Sequence, residues 1–319
     1  MVVQANKIGV YVVRLVNGAV NWAVLAAIVL MVIFAGYSLW DSGQLYRAAD
    51  SSQYTVYKPT EMNEGKSFEE LRTINPEVIA WLTVYGTHID YPVTQGPDNM
   101  KYVNTNAEGQ YMLSGSIFLD TYNCRDFSDF NHIIYGHHMA HQAMFGQIGE
   151  FAQADMFSSR MYGNIYFGGK DHGIEFFAFV HTDAYDASVF TPNVPDKEHQ
   201  AYLDNLLELA VHKRDIGVTI QDHIILLSTC SASSTNGRDI LAGRIVDAVY
   251  EDTFFSESSV RTLYGIDSQT GQPRIALPVW LTYEALITVA LLVFIISVKR
   301  VRGRKQIMTG GGHDHDEVI

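Results

Sequence analysis

The sequence predicts a mainly β domain, a barrel or sandwich of about 200 residues, flanked by two transmembrane helices. Two long apolar stretches lie towards the ends of the chain, both flanks are basic around an acidic middle, and short strand-like runs fill that middle with few helical ones between them. Of 319 residues, 47% are hydrophobic and 12% aromatic, with 18 tyrosines, which excludes a low-complexity disordered chain. Two cysteines exclude a disulfide-rich scaffold and any four-cysteine metal site. A formal charge of -13 argues against a nucleic-acid partner.

Residues 1–19 form a short N-terminus carrying Lys7 and Arg14. Residues 20–40 hold no charge and match the roughly 20 residues a helix needs to cross a ~30 Å hydrocarbon core. No clean A-x-A cleavage site follows, so the segment reads as an uncleaved anchor. Residues 276–298 repeat the pattern, with Trp280 and Tyr283 as interfacial aromatics and Glu284 near enough to one end to reach the headgroups. A buried core helix is the alternative for each stretch. Of the 22 Lys+Arg, seven flank the spans: Lys7, Arg14, Lys299, Arg300, Arg302, Arg304 and Lys305. The remaining 15 share residues 41–277 with 31 of the 35 Asp+Glu. Positive-inside bias therefore places both termini in the cytoplasm and the acidic middle outside the cell membrane.

Within that middle, residues 41–66 are polar and broken by Pro59 and Gly65, as suits a membrane-proximal stalk. A short helix follows, with Ser67 as cap, Glu70 completing a capping box, and an end near Asn75-Pro76. Strand-like runs occupy 79–85, 115–119, 132–135, 174–181, 223–229 and 240–250. Helices are expected over 144–156 and over 199–214, the latter with Leu203, Leu206, Leu207, Ala210 and Val211 on one face. These elements give a functional domain over 67–255, a linker over 256–275 and a cytoplasmic tail over 299–319. The tail ends in a His/Asp run, but His313 and His315 alone make a poor metal site.

Two segments carry chemistry. The apolar run from Ile224 delivers Ser228, Thr229 and Cys230 to the end of a buried strand, and Arg238 opens the next strand-like run eight residues later. A hairpin would return Arg238 beside Cys230, where a cation favours the reactive thiolate and a guanidinium can hold an oxyanion. The competing reading is a small buried hydrophobe, because free cysteine is among the most buried residue types. Ser228 and Thr229 either shape the pocket beside the thiol or serve as ordinary strand hydroxyls. The second segment is His132-Ile133-Ile134-Tyr135-Gly136-His137-His138-Met139, again an apolar strand ending in polar groups, with Gly136 permitting a sharp turn. Histidine is the usual proton carrier for a thiol nucleophile. A zinc cluster of His137, His138 and His141 is the alternative, and no H-E-x-x-H spacing supports it.

On these residues the chain resembles the sortases, and among them class B. The matching segments are NPEVIAWLTVYGTHIDYPVTQG, SGSIFLD, DFSDFNHIIYGHHM followed by MFGQI, and LLSTC with NGR, in order over roughly residues 75–250. The resemblance implies an eight-stranded β-barrel and a membrane-anchored cysteine transpeptidase of a Gram-positive surface. His137 matches the family's catalytic histidine in YGHxM, Cys230 the nucleophile in TLxTC (with Leu226 in place of its first Thr), and Arg238 the active-site arginine. Arg244, in the pair Gly243-Arg244, is a second arginine candidate. The helix over 199–214 then corresponds to the class B insertion that walls the substrate groove. Class B members usually carry one N-terminal anchor, whereas a C-terminal span is a habit of pilin-polymerising sortases; the aromatic Asp-Pro lid motif of those enzymes is not evident in 41–75.

The resemblance implies partners: secreted proteins bearing a C-terminal sorting signal, and an acceptor amine from peptidoglycan precursor or a pilin lysine. No cofactor or metal is implied. A hydrolytic cysteine peptidase with the same dyad and a non-enzymatic anchored barrel that binds a surface ligand are the other readings. Cys124 is the remaining thiol, and a Cys124–Cys230 disulfide would remove the nucleophile.

Overall fold

The computed structural model describes residues 2–60 and 66–254. The expected linker over 256–275, second span over 276–298 and tail over 299–319, with His313 and His315, lie outside the described residues.

The chain opens with helix α1 (Val2–Ala49), which is apolar on all sides through its middle. Trp22, Leu30, Phe34 and Trp40 are all exposed, and among the described residues this is the one helix long and apolar enough to cross a membrane. A helix apolar all round needs a protein core or a lipid one. The stretch from 41, expected to be a polar stalk, continues α1 to Ala49 and then tightens into a 3-10 helix over Ser51–Tyr57. Asp50 caps that turn by accepting the Ser52 N–H at 2.8 Å. Its Tyr54 is buried, as is Ala49, so this segment is packed structure. Helix α2 (Lys66–Ile74) begins ahead of the expected cap: Ser67 lies inside the first turn and donates its hydroxyl to the Lys58 carbonyl at 3.1 Å.

Nine strands follow: β1 (Val78–Val84), β2 (Asp90–Thr94), β3 (Ile117–Leu119), β4 (Asn131–Tyr135), β5 (Tyr162–Phe167), β6 (Lys170–Asp183), β7 (Ala210–Lys213), β8 (His223–Cys230) and β9 (Gly237–Val246). They run in the order β5-β1-β2-β3-β4-β8-β9-β6-β7, and β5 also pairs with β6. Eight strands therefore close into a barrel, and β7 hangs on β6 outside the ring. Closure removes the open edges that a flat sheet would expose. The pairs β2–β3 and β4–β8 are parallel and the rest antiparallel.

Two apolar clusters sandwich the wall. Ile134, Ile225, Leu227, Leu241, Phe176 and Phe179 belong to the larger one, inside the barrel. Ile133, Leu226, Ile240, Ala178 and Val180 point the other way, where Val189 and helix α4 (His199–Leu209) cover them through Tyr202, Leu203 and Leu206. Because β8 is covered on both faces, it reads as a continuous apolar run rather than an alternation.

Two expected helices differ. Helix α4 stops at Leu209, and Ala210 and Val211 belong to β7, where the alternating A-V-H-K pairs with residues 178–180 of β6. Val211, with its β-branched side chain, is exposed rather than on the helix's buried face. The segment 144–156 is a 3-10 helix over Ile148–Ala152, followed by the short α3 (Ala154–Ser159). Met144 takes a left-handed φ of 52°, and Gly146 packs against the Met139 carbonyl, so no regular helix forms there.

Candidate active site

Strands β4 and β8 run parallel, with Ile133 opposite Leu226 and Tyr135 opposite Ser228. Their C-terminal ends thus reach one edge of the barrel together. The Gly136 N–H donates to the Ser228 carbonyl at 3.1 Å and extends the ladder one step beyond β4. Side chains alternate faces along a strand. Ile133 and Leu226 face α4, so Tyr135, Ser228 and Cys230 continue that face, and His137 follows Tyr135 at the same parity. On the other side of β8, Cys230 is paired directly with Arg238 of β9. The turn over 231–236 is closed by the Ser231 N–H donating to Gly237 at 2.8 Å. The hairpin expected from sequence is therefore present and sets Arg238 beside Cys230, while the Gly136 turn that leads into His137 leaves β4 at the same edge of the barrel. Arg244 lies at the opposite end of β9, opposite Ile224, where it pairs with Glu175 at 2.5 Å and Asp222 at 3.6 Å.

Cys230 is exposed although the six residues before it are buried. His137 is half-buried, and its Nε2 lies 2.9 Å from the Val103 carbonyl. A carbonyl only accepts, so Nε2 carries a proton and Nδ1 is the nitrogen left for proton transfer. The Arg238 Nη1 donates to the Gly237 carbonyl at 3.0 Å. Its charge also reaches the Tyr135 phenol: burial and the Asp120 carboxylate push that phenol up, and Arg238 partly offsets them. By register Arg238, directly opposite Cys230, belongs to the outer face of β9.

Ser228 and Thr229 differ. The Ser228 hydroxyl is buried on the outer face with no hydrogen-bond partner among the described residues. Thr229 faces inward and donates to the Gly136 carbonyl at 2.8 Å, tying β8 to the turn that leads into His137. Gly136 is required for space rather than for left-handed backbone: a Cβ there would lie 2.6 Å from the buried Phe145 ring and 2.9 Å from Ile117. His138 and His141 are exposed, and among the described residues no group of three or more His, Cys, Asp or Glu side chains is placed to hold a metal ion.

Both cysteines are free thiols. Cys124 precedes β4, towards the end of the β4–β8 pair opposite to Cys230, and its N–H donates to Asp129 at 2.7 Å. Hydrogen bonding and charge from Asp129 push the Cys124 thiol up from its ordinary value.

Known proteins resemble the chain over most of this domain. A Sortase B of Listeria monocytogenes is 32% identical over 200 residues, which are 60% of this chain and 80% of that protein. The chain belongs to the class B sortase family. Sortase B from the type II pilus of Streptococcus pneumoniae superposes with a TM-score of 0.51 and 44% identity, over 57% of this chain and 99% of that one. A Streptococcus pyogenes class B sortase involved in pilus biogenesis gives 0.53 and 39%, over 57% and 99%. No protein-family model matches the chain. The sortase is accordingly a cysteine transpeptidase on an eight-stranded barrel.

Two features of this sortase have no sequence signature. The Val103 carbonyl that holds His137 is a backbone group in the Lys101–Val103 turn, 34 residues away. A cavity of about 680 Å³ opens beside Ser231–Ser233 and loop 138–142, with His181 and Asp239 paired at 2.8 Å in its wall. The first joins a turn to a loop distant in sequence, and the second spans β6 and β9, where His181 and Asp239 are direct partners.

Proposed function

We propose that this sortase is anchored in the cell membrane through α1, acts on the outer side, cleaves the C-terminal sorting signal of secreted proteins, and transfers the acyl group to an amine. The pairing of Cys230 with Arg238 at the barrel edge reached by His137 is the observation that carries this reading. The Cys230 thiolate attacks the scissile carbonyl, forming the S–C bond, while Arg238 donates to the oxyanion. As the C–N bond breaks, the leaving amine takes a proton from the His137 imidazolium through Nδ1. An incoming amine then attacks the thioester, gives its proton back to His137, and the S–C bond breaks to restore the thiolate. Ser228, buried on the outer face two residues before Cys230, helps to shape the wall of the pocket behind the thiol. Thr229 supports the site from inside by fixing the turn at Gly136.

The identities of 44% and 39% to pilus-associated enzymes favour a pilin lysine as acceptor over peptidoglycan precursor. The second span over 276–298 and the inside location of both termini belong to the same proposal. Incubating the purified enzyme with a sorting-signal peptide, with and without a lysine-bearing pilin domain, tests it. An amine-dependent ligated product is expected from the parent and none from Cys230→Ala. Cleavage at the same rate with water as sole acceptor, and no ligation, would identify a hydrolytic peptidase instead.

A further inference from the structure

The segment that follows His137 is held in an unusual backbone. His141, Gln142 and Met144 take φ values of 57°, 61° and 52°, a left-handed conformation that side chains other than glycine rarely adopt. Three such residues within four positions persist only where the surroundings impose them, and such strain gathers at functional segments. Part of the enforcement is internal. The Phe145 N–H donates to the His137 carbonyl at 3.0 Å, His138 bridges Met144, and Gln142 donates to Glu150 at 3.0 Å. Met144 and Phe145 fill the barrel core.

The rest comes from outside the barrel. The Tyr46 ring, in the last turn of α1, meets the His141 ring edge-on at 4.7 Å. His141 lies four positions beyond His137 in the sequence. The buried Tyr91 phenol of β2 makes the second link: it accepts the Met144 N–H at 3.0 Å and donates to the Ala49 carbonyl, the last of α1, at 2.9 Å. The apolar helix therefore ends directly on the loop that carries the proposed proton donor, at two points three residues apart on the helix and three apart on the loop.

We propose that the C-terminal end of α1 is a positioning element for His137, with Tyr46 acting through His141 and the Ala49 carbonyl acting through Tyr91 to hold loop 138–146 in its left-handed backbone. The inference rests on the catalytic role assigned to His137 above. Tyr46 is a positioning residue that touches no reacting atom. A displacement of about 1 Å in a catalytic group can cost up to 10²-fold in rate, so a loosened loop slows turnover more than it weakens peptide binding.

The test uses full-length enzyme in lipid nanodiscs. Tyr46→Ala is expected to speed amide hydrogen exchange at 141–144 and to lower kcat about tenfold, with KM changed less than about twofold. Tyr46→Phe keeps the ring and restores both values. Tyr37→Ala, on the same helix and clear of the loop, changes neither. Tyr91→Phe, which loses both hydrogen bonds but keeps the core ring, repeats the Tyr46→Ala result by the second link. Unchanged exchange at 141–144 in both Tyr46→Ala and Tyr91→Phe would overturn the coupling. Faster exchange with unchanged kcat would overturn its role in positioning His137. Faster exchange in the two variants of an enzyme whose parent never ligates would instead remove the transpeptidase mechanism and leave the helix-to-loop contact standing.

Discussion

His132 offers a quantitative test of how tightly β4 and β8 are joined. Its side chain is fully buried between the strands, packed 5.2 Å from the Phe127 ring. Nδ1 donates to the Ile224 carbonyl of β8 at 3.0 Å, and Nε2 has no partner among the described residues. Removal from water disfavours the charged imidazole more than the Ile224 carbonyl and Asp129 favour it, which lowers the pKa from 6.5 to about 4. The folded protein thus holds His132 neutral, while an unfolded chain takes up the proton near pH 6.5. Above that pH the residue contributes no pH dependence. As the pH falls below it, only the unfolded state gains a proton, so stability is lost progressively down to about pH 4. At about 1.36 kcal/mol per unit, the gap between 6.5 and about 4 is worth at most about 3.4 kcal/mol, of which about 2 kcal/mol is lost between pH 7 and pH 4.5. Urea unfolding of the detergent-solubilised enzyme, followed by near-UV circular dichroism at both pH values, reads this change. Carboxylates titrate over the same range, so the comparison is with His132→Leu, which cancels their contribution. The parent should lose about 2 kcal/mol more than the variant over that interval. Parallel losses in the two proteins would refute the assignment of a buried, neutral imidazole.

Arg238→Lys keeps the charge but loses the planar fork, and kcat/KM for the sorting-signal peptide should fall by about 10²-fold, mostly in kcat, as measured by a fluorogenic cleavage assay. Gly136→Ala drives a Cβ into the Phe145 ring and should lower stability by about 1–3 kcal/mol in thermal unfolding, together with turnover, because the displaced turn carries His137. For Cys124, Asp129→Asn removes the charge that raises the thiol, so alkylation of Cys124 at pH 7.5 should become faster than in the parent, with mass spectrometry of the tryptic peptide as readout.

The legible parts of this fold are those whose partners lie close in sequence or whose burial is complete. Strands β4 and β8 stand out because both their faces are covered, so Ile133-Ile134 and Ile224–Leu227 form unbroken apolar runs. The Cys230–Arg238 pairing was accessible because a hairpin joins neighbouring strands. Strand β2 is hidden by Pro92, which reads as a strand breaker, β5 by its half-exposure, and β7 by its brevity and half-exposure. The segment at 144–156 has helical composition, but the left-handed Met144 and two crowded glycines keep its first half in tight turns. What no local pattern carried is the parallel pairing of β4 with β8, 93 residues apart at Tyr135 and Ser228, which sends the segments leading to His137 and Cys230 towards the same barrel edge. The motif match supplied His137 where periodicity gave only a strand end. The role of Val103 is invisible for a different reason, since any residue has a carbonyl.

The measurement closest to the central claim is the site of the acyl-enzyme. Full-length enzyme is mixed with a sorting-signal peptide without an acceptor amine, quenched in acid, digested and mapped by mass spectrometry. The predicted result is a hydroxylamine-sensitive acyl mass on the peptide containing Cys230, absent after Cys230→Ala and discharged when an amine is added before the quench. An acyl mass on Cys124, or turnover that survives Cys230→Ala, would contradict the account.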